Sequence, residues 1–142
     1  MKILINFKTV CFFLLSSVLI SCKKNDSGSD TVKSPFTVRY EITATKPLDP
    51  QPFGTGVMWT NPSGAYTTSF ITSLPWKKDE TVTNSGRPFL LILNADALML
   101  TSPGQVVGNI YINGVKKETV TVNTTNIVGF NTAVLNMQYA VR

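Results

Sequence analysis

The chain has 142 residues with a formal net charge of +5, no histidine and two cysteines. The lack of histidine excludes Ser-His-Asp and Cys-His nucleophilic catalysis and histidine-based zinc sites. Both cysteines, Cys11 and Cys22, lie near the N-terminus, so we expect neither a disulfide nor a thiolate metal site in the rest of the chain.

The N-terminus has the parts of an export signal. Lys2 and Lys8 precede an apolar run over residues 10–20, and the tetrad Leu19-Ile20-Ser21-Cys22 closes the segment. A helix needs roughly 20 apolar residues to cross a membrane, so this shorter run predicts a cleaved signal peptide over residues 1–21. The final tetrad resembles the bacterial lipoprotein signal, which implies that Cys22 is lipidated and becomes the first mature residue. An ordinary secretory peptide with an unrelated cysteine is the alternative.

A polar segment follows the predicted lipidation site. Residues 22–34 include the run KKNDSGSDTVKS, which has little apolar surface to bury and therefore predicts a flexible tether. Such a coil has a root-mean-square reach of roughly 20 Å and a limit of about 40 Å. The segment resembles the start of many Bacteroidetes lipoproteins. That resemblance implies an anchor in the outer membrane, at its periplasmic face or at the cell surface.

The chain that remains after residues 1–21 is long enough for one domain with its own core. Its 121 residues have a net charge of about +3. The lysines form the separated pairs Lys23-Lys24, Lys77-Lys78 and Lys116-Lys117 rather than a stripe. We therefore expect these lysines to be solvated and expect no nucleic-acid partner.

From Pro35 onward apolar and polar residues alternate, as they do in half-buried strands. The segments predicted to be strands are, in chain order, 36–43, 56–60, 65–73, 80–83, 89–100, 106–112, 115–122 and 127–141. Three prolines within residues 46–53 predict a loop. Residues 89–93 are apolar on both faces, which indicates a central or doubly covered strand. One helical turn over residues 94–98 is the alternative for the end of that segment.

Turn signals separate the predicted strands. Asn61-Pro62-Ser63-Gly64 predicts a turn that makes a hairpin of its two flanking strands. Asn113-Gly114 is the strongest hairpin signal, because a type I′ turn needs positive φ at both central residues. Residues 123–126 predict a polar loop, and we expect a bulge at Gly129 or Asn131.

Seven or eight hairpin-connected strands without a sustained helical period predict an all-β fold over residues 35–142. The expected architecture is a two-sheet antiparallel sandwich of immunoglobulin-like type. A barrel is the alternative.

Several segments of this domain carry a family resemblance. They are Val38-Arg-Tyr40-Glu-Ile-Thr, a Trp-Thr pair before a glycine turn, Leu74-Pro75-Trp76, and Gly108-Asn-Ile-Tyr-Ile-Asn113-Gly114 before a basic strand. Together they cover about residues 38–117 and are similar to the soluble domain of the MmpS family. The members of that family are membrane-anchored accessory factors of mycobacterial RND-type lipid and siderophore exporters. The resemblance implies a small β-sandwich that acts beside an exporter. The chain departs from the family in its predicted lipid anchor and in lacking cysteines in the later strands.

The sequence contains no motif for catalysis. Its eight carboxylates form no pattern that singles out a glycosidase pair, and no nucleophile elbow, S-x-x-K or phosphate-binding glycine motif occurs. We expect no enzyme activity, no cofactor and no metal. The prediction is a lipid-anchored cell-envelope protein that binds a protein partner, as an accessory factor of an export or surface complex.

A glycan- or small-ligand-binding module is the alternative function, and a purely structural surface protein is a third. Phe53, Trp59, Tyr66 and Trp76 are the aromatic residues outside the clean alternation, and Trp59, Tyr66 and Trp76 are the candidate contact residues. Exposed Trp and Tyr side chains stack on sugars or anchor protein interfaces. In a structural interpretation, Trp59 is instead the buried sandwich tryptophan and Trp76 packs over a sheet end. The solvent exposure of the two tryptophans therefore separates the binding interpretation from the structural one.

Overall fold

The computed structural model describes residues 32–83 and 88–142, which form nine β-strands and no helix. The strands are β1 (Phe36–Ala44), β2 (Thr55–Thr60), β3 (Tyr66–Ile71), β4 (Trp76–Val82), β5 (Phe89–Leu100), β6 (Gln105–Ile112), β7 (Val115–Asn123), β8 (Thr125–Ile127) and β9 (Phe130–Val141). The predicted signal peptide and Cys22 lie outside the described residues. Within the described ranges, no helix is long and apolar enough to cross a membrane.

The strands form two antiparallel sheets. The four-stranded sheet has the order β4-β1-β6-β7, and the five-stranded sheet has the order β3-β2-β5-β9-β8. In β1, Phe36, Val38, Tyr40 and Ile42 are buried, while the residues between them face outward. The prediction of an all-β fold with two antiparallel sheets is confirmed, and the described strands do not close into a barrel.

The core is one cluster between the sheets that draws on both of them. Its largest fully buried side chains include Tyr40, Leu93, Ile110 and Leu135, which come from four different strands. Burial of this many apolar side chains, at about 25 cal/mol per Å² of apolar surface, is the main force that holds the sheets together.

The sandwich has two ends, which we name by their distance from the N-terminus. At the proximal end, the Val32 N–H donates to the Arg142 carbonyl at 2.9 Å, and Val32 packs against the core although it falls within the predicted tether. The strand registers place the 61–64 and 113–114 turns at this end as well. The distal end contains residues 45–54, 72–75, 101–104 and 128–129.

Two strands differ from the sequence prediction, and one of them, β8, brings the total from the predicted eight to nine. β4 begins at Trp76 rather than at residue 80, because its charged residues pair with β1, in the registers Arg39↔Asp79 and Glu41↔Lys77. β8 lies partly within the predicted 123–126 loop, where Thr125 pairs with Thr132 of β9. Both are edge strands, where polar side chains are tolerated on either face.

Both predicted turns are confirmed. Asn113 and Gly114 have φ values of 50° and 77°, as a type I′ turn requires. In the other turn, the Gly64 N–H donates to the Asn61 carbonyl at 3.0 Å, and the Asn61 side chain accepts from the Ser63 N–H at 3.0 Å.

The predicted bulge at Gly129 or Asn131 is wrong. Val128 and Gly129, with φ values of 50° and 87°, form the tight turn between β8 and β9, and Asn131 pairs regularly with Leu100. A bulge lies instead in β5, the strand that pairs with β9, between Ala95 and Leu98. The residues considered for a helical turn therefore belong to a bulged strand.

Candidate functional site

The distal end exposes large apolar side chains. Phe53 is 83% exposed and Val128 is 91% exposed. Phe70, Ile127 and Phe130 are also exposed. Phe70 lies on the edge strand β3, and Ile127 and Phe130 lie at the opposite edge of the five-stranded sheet. We call these five residues the distal apolar group.

The loops around this group are stiff and nearly uncharged. Residues 45–54, 72–75, 101–104 and 128–129 contain five prolines and, as charged residues, only Lys46 and Asp49. Proline fixes φ and reduces the entropy that a loop loses on binding. The distal end therefore presents a preformed apolar surface.

Val128 has an unfavourable backbone conformation for its side chain. It is β-branched and has a φ of 50°, a region that costs such residues roughly 1–2 kcal/mol. Its exposure means that core packing does not compensate for this strain. Backbone strain of this kind concentrates at functional sites.

The outer face of the four-stranded sheet carries a charged network around an open depression of about 430 Å³. Arg39 Nε and Nη2 donate to the two carboxylate oxygens of Asp79 at 2.7 and 3.3 Å. Lys77 Nζ lies 3.1 Å from Glu41 Oε1, and the Tyr111 hydroxyl donates to Glu41 Oε2 at 2.9 Å. Each of these four charges is paired with an opposite charge.

The environment of Glu41 favours its ionised form. Desolvation alone would raise the pKa of the Glu41 carboxyl, but hydrogen bonds from Lys77, Tyr111 and Asn109, with the charge of Lys77, outweigh it and lower that pKa. The pKa of Tyr111 is raised, first by desolvation and then by its bond to Glu41. A carboxylate held ionised and bonded in this way is suited to fixing the sheet surface rather than to acid–base chemistry.

The structure separates the three aromatic residues predicted as contacts. Trp59 is only 5% exposed, and its ring lies 5.6 Å from that of partly buried Trp76. Its indole Nε1–H donates to Glu80 Oε1 at 3.0 Å. Both tryptophans thus pack between the sheets, whereas Tyr66 is 58% exposed at the proximal end of β3. The three do not form one binding face.

The outer face of the five-stranded sheet differs in character from that of the four-stranded sheet. The alternation and register place Tyr66, Thr68 and Phe70 on it, followed on the inner strands by Met58, Asn94, Asn136 and Gln138. Only Asp96, in the β5 bulge, brings a charge to the strands of this face. It is a mixed surface of aromatic rings, amides and hydroxyls.

Within residues 32–83 and 88–142, no group of three or more His, Cys, Asp or Glu residues is placed to hold a metal ion. No family model and no curated protein matches the chain.

Proposed function

We propose that the chain is a noncatalytic, lipid-anchored protein of the cell envelope whose distal end binds a protein partner in an export or surface complex. The observation that carries the proposal is the distal apolar group, above all the strained and exposed Val128. Large apolar side chains exposed towards one end of a domain are typical of protein interaction sites.

The position of the N-terminus fits this proposal. Cys22, the proposed lipidation site, precedes Val32 by ten residues, and Val32 lies at the proximal end. A tether of that length spans at most about 35 Å. The distal end is the part of the domain farthest from the tether, so a partner bound there does not collide with the anchor.

Val128→Asn tests the proposal without damaging the fold. Asparagine tolerates positive φ better than valine, so we expect the variant to be more stable by about 1 kcal/mol, measured by urea unfolding. If Val128 contributes to the interface, the same variant binds its partner less well. A variant that gains stability and loses binding separates the functional role from a structural one.

The binding measurement is a crosslinked pull-down of the tagged full chain from its native membrane. We expect the natural chain to recover one transport or surface protein. Phe53→Ser combined with Val128→Asn should reduce that recovery about tenfold, the loss expected when central apolar anchors are truncated. Val115→Ser, a change at an exposed apolar residue of the proximal end, is the matched control and should leave recovery unchanged. Cys22→Ser should abolish recovery by releasing the chain from the membrane. Equal recovery by all variants would contradict the proposal.

We infer an immunoglobulin-like domain at the level of architecture, since its strand order differs from the ABED and CFG sheets of the constant-type fold. The resemblance to the MmpS family supports a role beside an exporter. The resemblance of residues 22–34 to Bacteroidetes lipoproteins supports an anchor in the outer membrane. Mass spectrometry of the mature N-terminus tests the anchor: we expect an acylated Cys22.

Glycan binding is the second candidate, and one observation favours it. Tyr66 and Phe70 are exposed on a face where amides are abundant and charges scarce, a combination suited to stacking on and hydrogen bonding a neutral sugar. Trp59 and Trp76 do not contribute, because they pack against each other. Binding on a glycan array that Phe70→Ala abolishes and Phe53→Ser preserves would favour this function over the protein-binding one.

A further inference from the structure

The four edge strands of the sandwich are protected unequally against pairing with another strand. β4 has four charged residues among its seven, β7 has Lys116, Lys117 and Glu118 beside a bulge in its pairing with β6, and β8 has three residues. Charges, bulges and short length are the usual protections of an edge. β3, with the sequence YTTSFI, has none of them and contains no proline.

The open edge of β3 offers backbone groups at alternate residues. The Asn61 N–H donates to the Ala65 carbonyl at 2.8 Å. Asn61 and Ala65, next to the Thr60↔Tyr66 pair of the β2–β3 ladder, are therefore a hydrogen-bonded pair. Because hydrogen-bonded and non-hydrogen-bonded pairs alternate in an antiparallel ladder, Thr67 and Ser69 bond to β2. The N–H and C=O groups of Tyr66, Thr68 and Phe70 therefore point to the open edge, where no strand among the described residues pairs with them.

These three residues form a symmetric pattern. Tyr66, 58% exposed, and Phe70, 70% exposed, flank Thr68 at equal distances on one face of the strand. An antiparallel copy of β3 centred on Thr68 sets each Tyr66 opposite the other copy's Phe70 and Thr68 opposite itself. All three positions then form hydrogen-bonded pairs, with about six new backbone hydrogen bonds.

We propose that β3 pairs with β3 of a second copy of this chain, joining the two five-stranded sheets into one. The contact is isologous, as a two-fold dimer requires, and its aromatic cross-strand pairs add to the backbone hydrogen bonds. The nearly uncharged outer face lets the sheets join without opposing like charges. The local two-fold axis is perpendicular to the sheet, so the two distal ends lie at opposite ends of the dimer and both stay open. The pairing uses Phe70 of the distal apolar group and leaves the other four residues of that group open to a partner.

Thr68→Cys in the full exported chain tests the register. A hydrogen-bonded antiparallel pair separates its Cα atoms by about 5.5 Å, which is within disulfide range. After mild oxidation in the membrane we expect a disulfide-linked homodimer on a non-reducing gel. Tyr66→Cys should give little disulfide-linked homodimer, because the two copies of residue 66 would lie about 13 Å apart along the strands.

The matched control is Thr81→Cys, an exposed threonine on the charged edge strand β4. We expect Thr68→Cys to give at least about tenfold more homodimer than Thr81→Cys, since only the former lies within disulfide range of its own copy. The natural chain measures any background from Cys11 and Cys22. Equal cross-linking at positions 66, 68 and 81, or cross-linking of position 68 to a different protein, would overturn the proposal.

A second measurement does not depend on disulfide chemistry. The Cys22→Ser chain should sediment as a dimer at micromolar concentration, and adding Thr68→Lys should make it a monomer, because two lysines then face each other at the two-fold axis. Adding Thr81→Lys instead should leave the dimer intact. A Cys22→Ser chain that sediments as a monomer, or a Thr68→Lys variant that stays dimeric, would show that β3 does not pair with itself.

Discussion

Tyr40 links the two sheets through a buried hydrogen bond. Its hydroxyl, on β1, donates to the Thr60 carbonyl of β2 at 2.8 Å. The Thr60 hydroxyl in turn donates to the Leu90 carbonyl at 3.0 Å and accepts from the Ile92 N–H at 2.9 Å. Three strands of the sandwich are therefore tied together at one point, and a change in one polar group affects all of them.

Tyr40→Phe should destabilise the domain in a pH-dependent way. Burial raises the pKa of Tyr40 well above its ordinary value of 10, so the folded state keeps the hydroxyl protonated. The stability from this hydroxyl is complete below pH 10 and is lost as the pH rises above it, where the unfolded chain ionises. We expect Tyr40→Phe to cost about 1–2 kcal/mol at pH 7, and this difference from the natural chain to shrink above pH 10.

Urea unfolding at several pH values measures this difference. Tyr111, whose pKa is also raised by desolvation, is present in both proteins, so its contribution cancels. A difference that stays constant up to pH 11 would show that the Tyr40 hydroxyl is not held neutral by burial.

At the scale of the elements, β6 packs on β9 at a glycine. A Cβ on Gly108 would lie 2.7 Å from Leu135 Cδ2 and would also overlap the Met137 sulfur. Leu135 and Met137 are both fully buried, so they have little room to move. Gly108 thus sets how closely the two sheets approach.

Gly108→Ala should therefore destabilise the domain by about 1–3 kcal/mol through overpacking. Gly56→Ala is the control, because it makes the same change in a strand where the nearest atom to the new Cβ is a Phe70 ring carbon at 3.9 Å. We expect its cost to be within about 0.5 kcal/mol of zero, as for an exposed substitution. Equal urea midpoints for the two variants would refute the packing role of Gly108.

The elements that the sequence predicts best are those formed by neighbours in the chain. Both hairpins, at Asn61–Gly64 and at Asn113-Gly114, follow from turn residues whose backbone requirements are local. β4 was predicted too short because its polar residues are stabilised by β1, nearly forty residues away, in pairs such as Arg39↔Asp79. The turn at Val128-Gly129 was missed because valine is the wrong residue for positive φ.

The candidate site was less predictable for the same reason. Phe53 and Val128 belong to loops distant in sequence, and only the strand order brings both to the distal end. Trp59 and Trp76 looked equally suited to binding, but their exposure depends on which strands face each other across the core. In the structure Trp59 lies on the same buried face of β2 as Val57, and a shared strand face is the kind of signal that indicates burial.

At the scale of the whole molecule, the two sheets share one core and should unfold together. The buried cluster contains residues of β1 and β6 from one sheet and of β2, β5 and β9 from the other. Domains of this size with a single core usually unfold in one cooperative transition. The paired tryptophans make this testable, because Trp59 belongs to the five-stranded sheet and Trp76 to the four-stranded one.

Tryptophan fluorescence should therefore report the contact between the sheets, while far-UV circular dichroism reports the strands. We expect the two urea transitions to have the same midpoint, since each sheet buries its apolar face only against the other sheet. Trp76→Phe leaves Trp59 as the single reporter and should give coincident transitions at a lower urea concentration, because the contact of the rings at 5.6 Å is altered. A fluorescence transition that precedes the loss of strand signal would show that the sheets separate before they unfold.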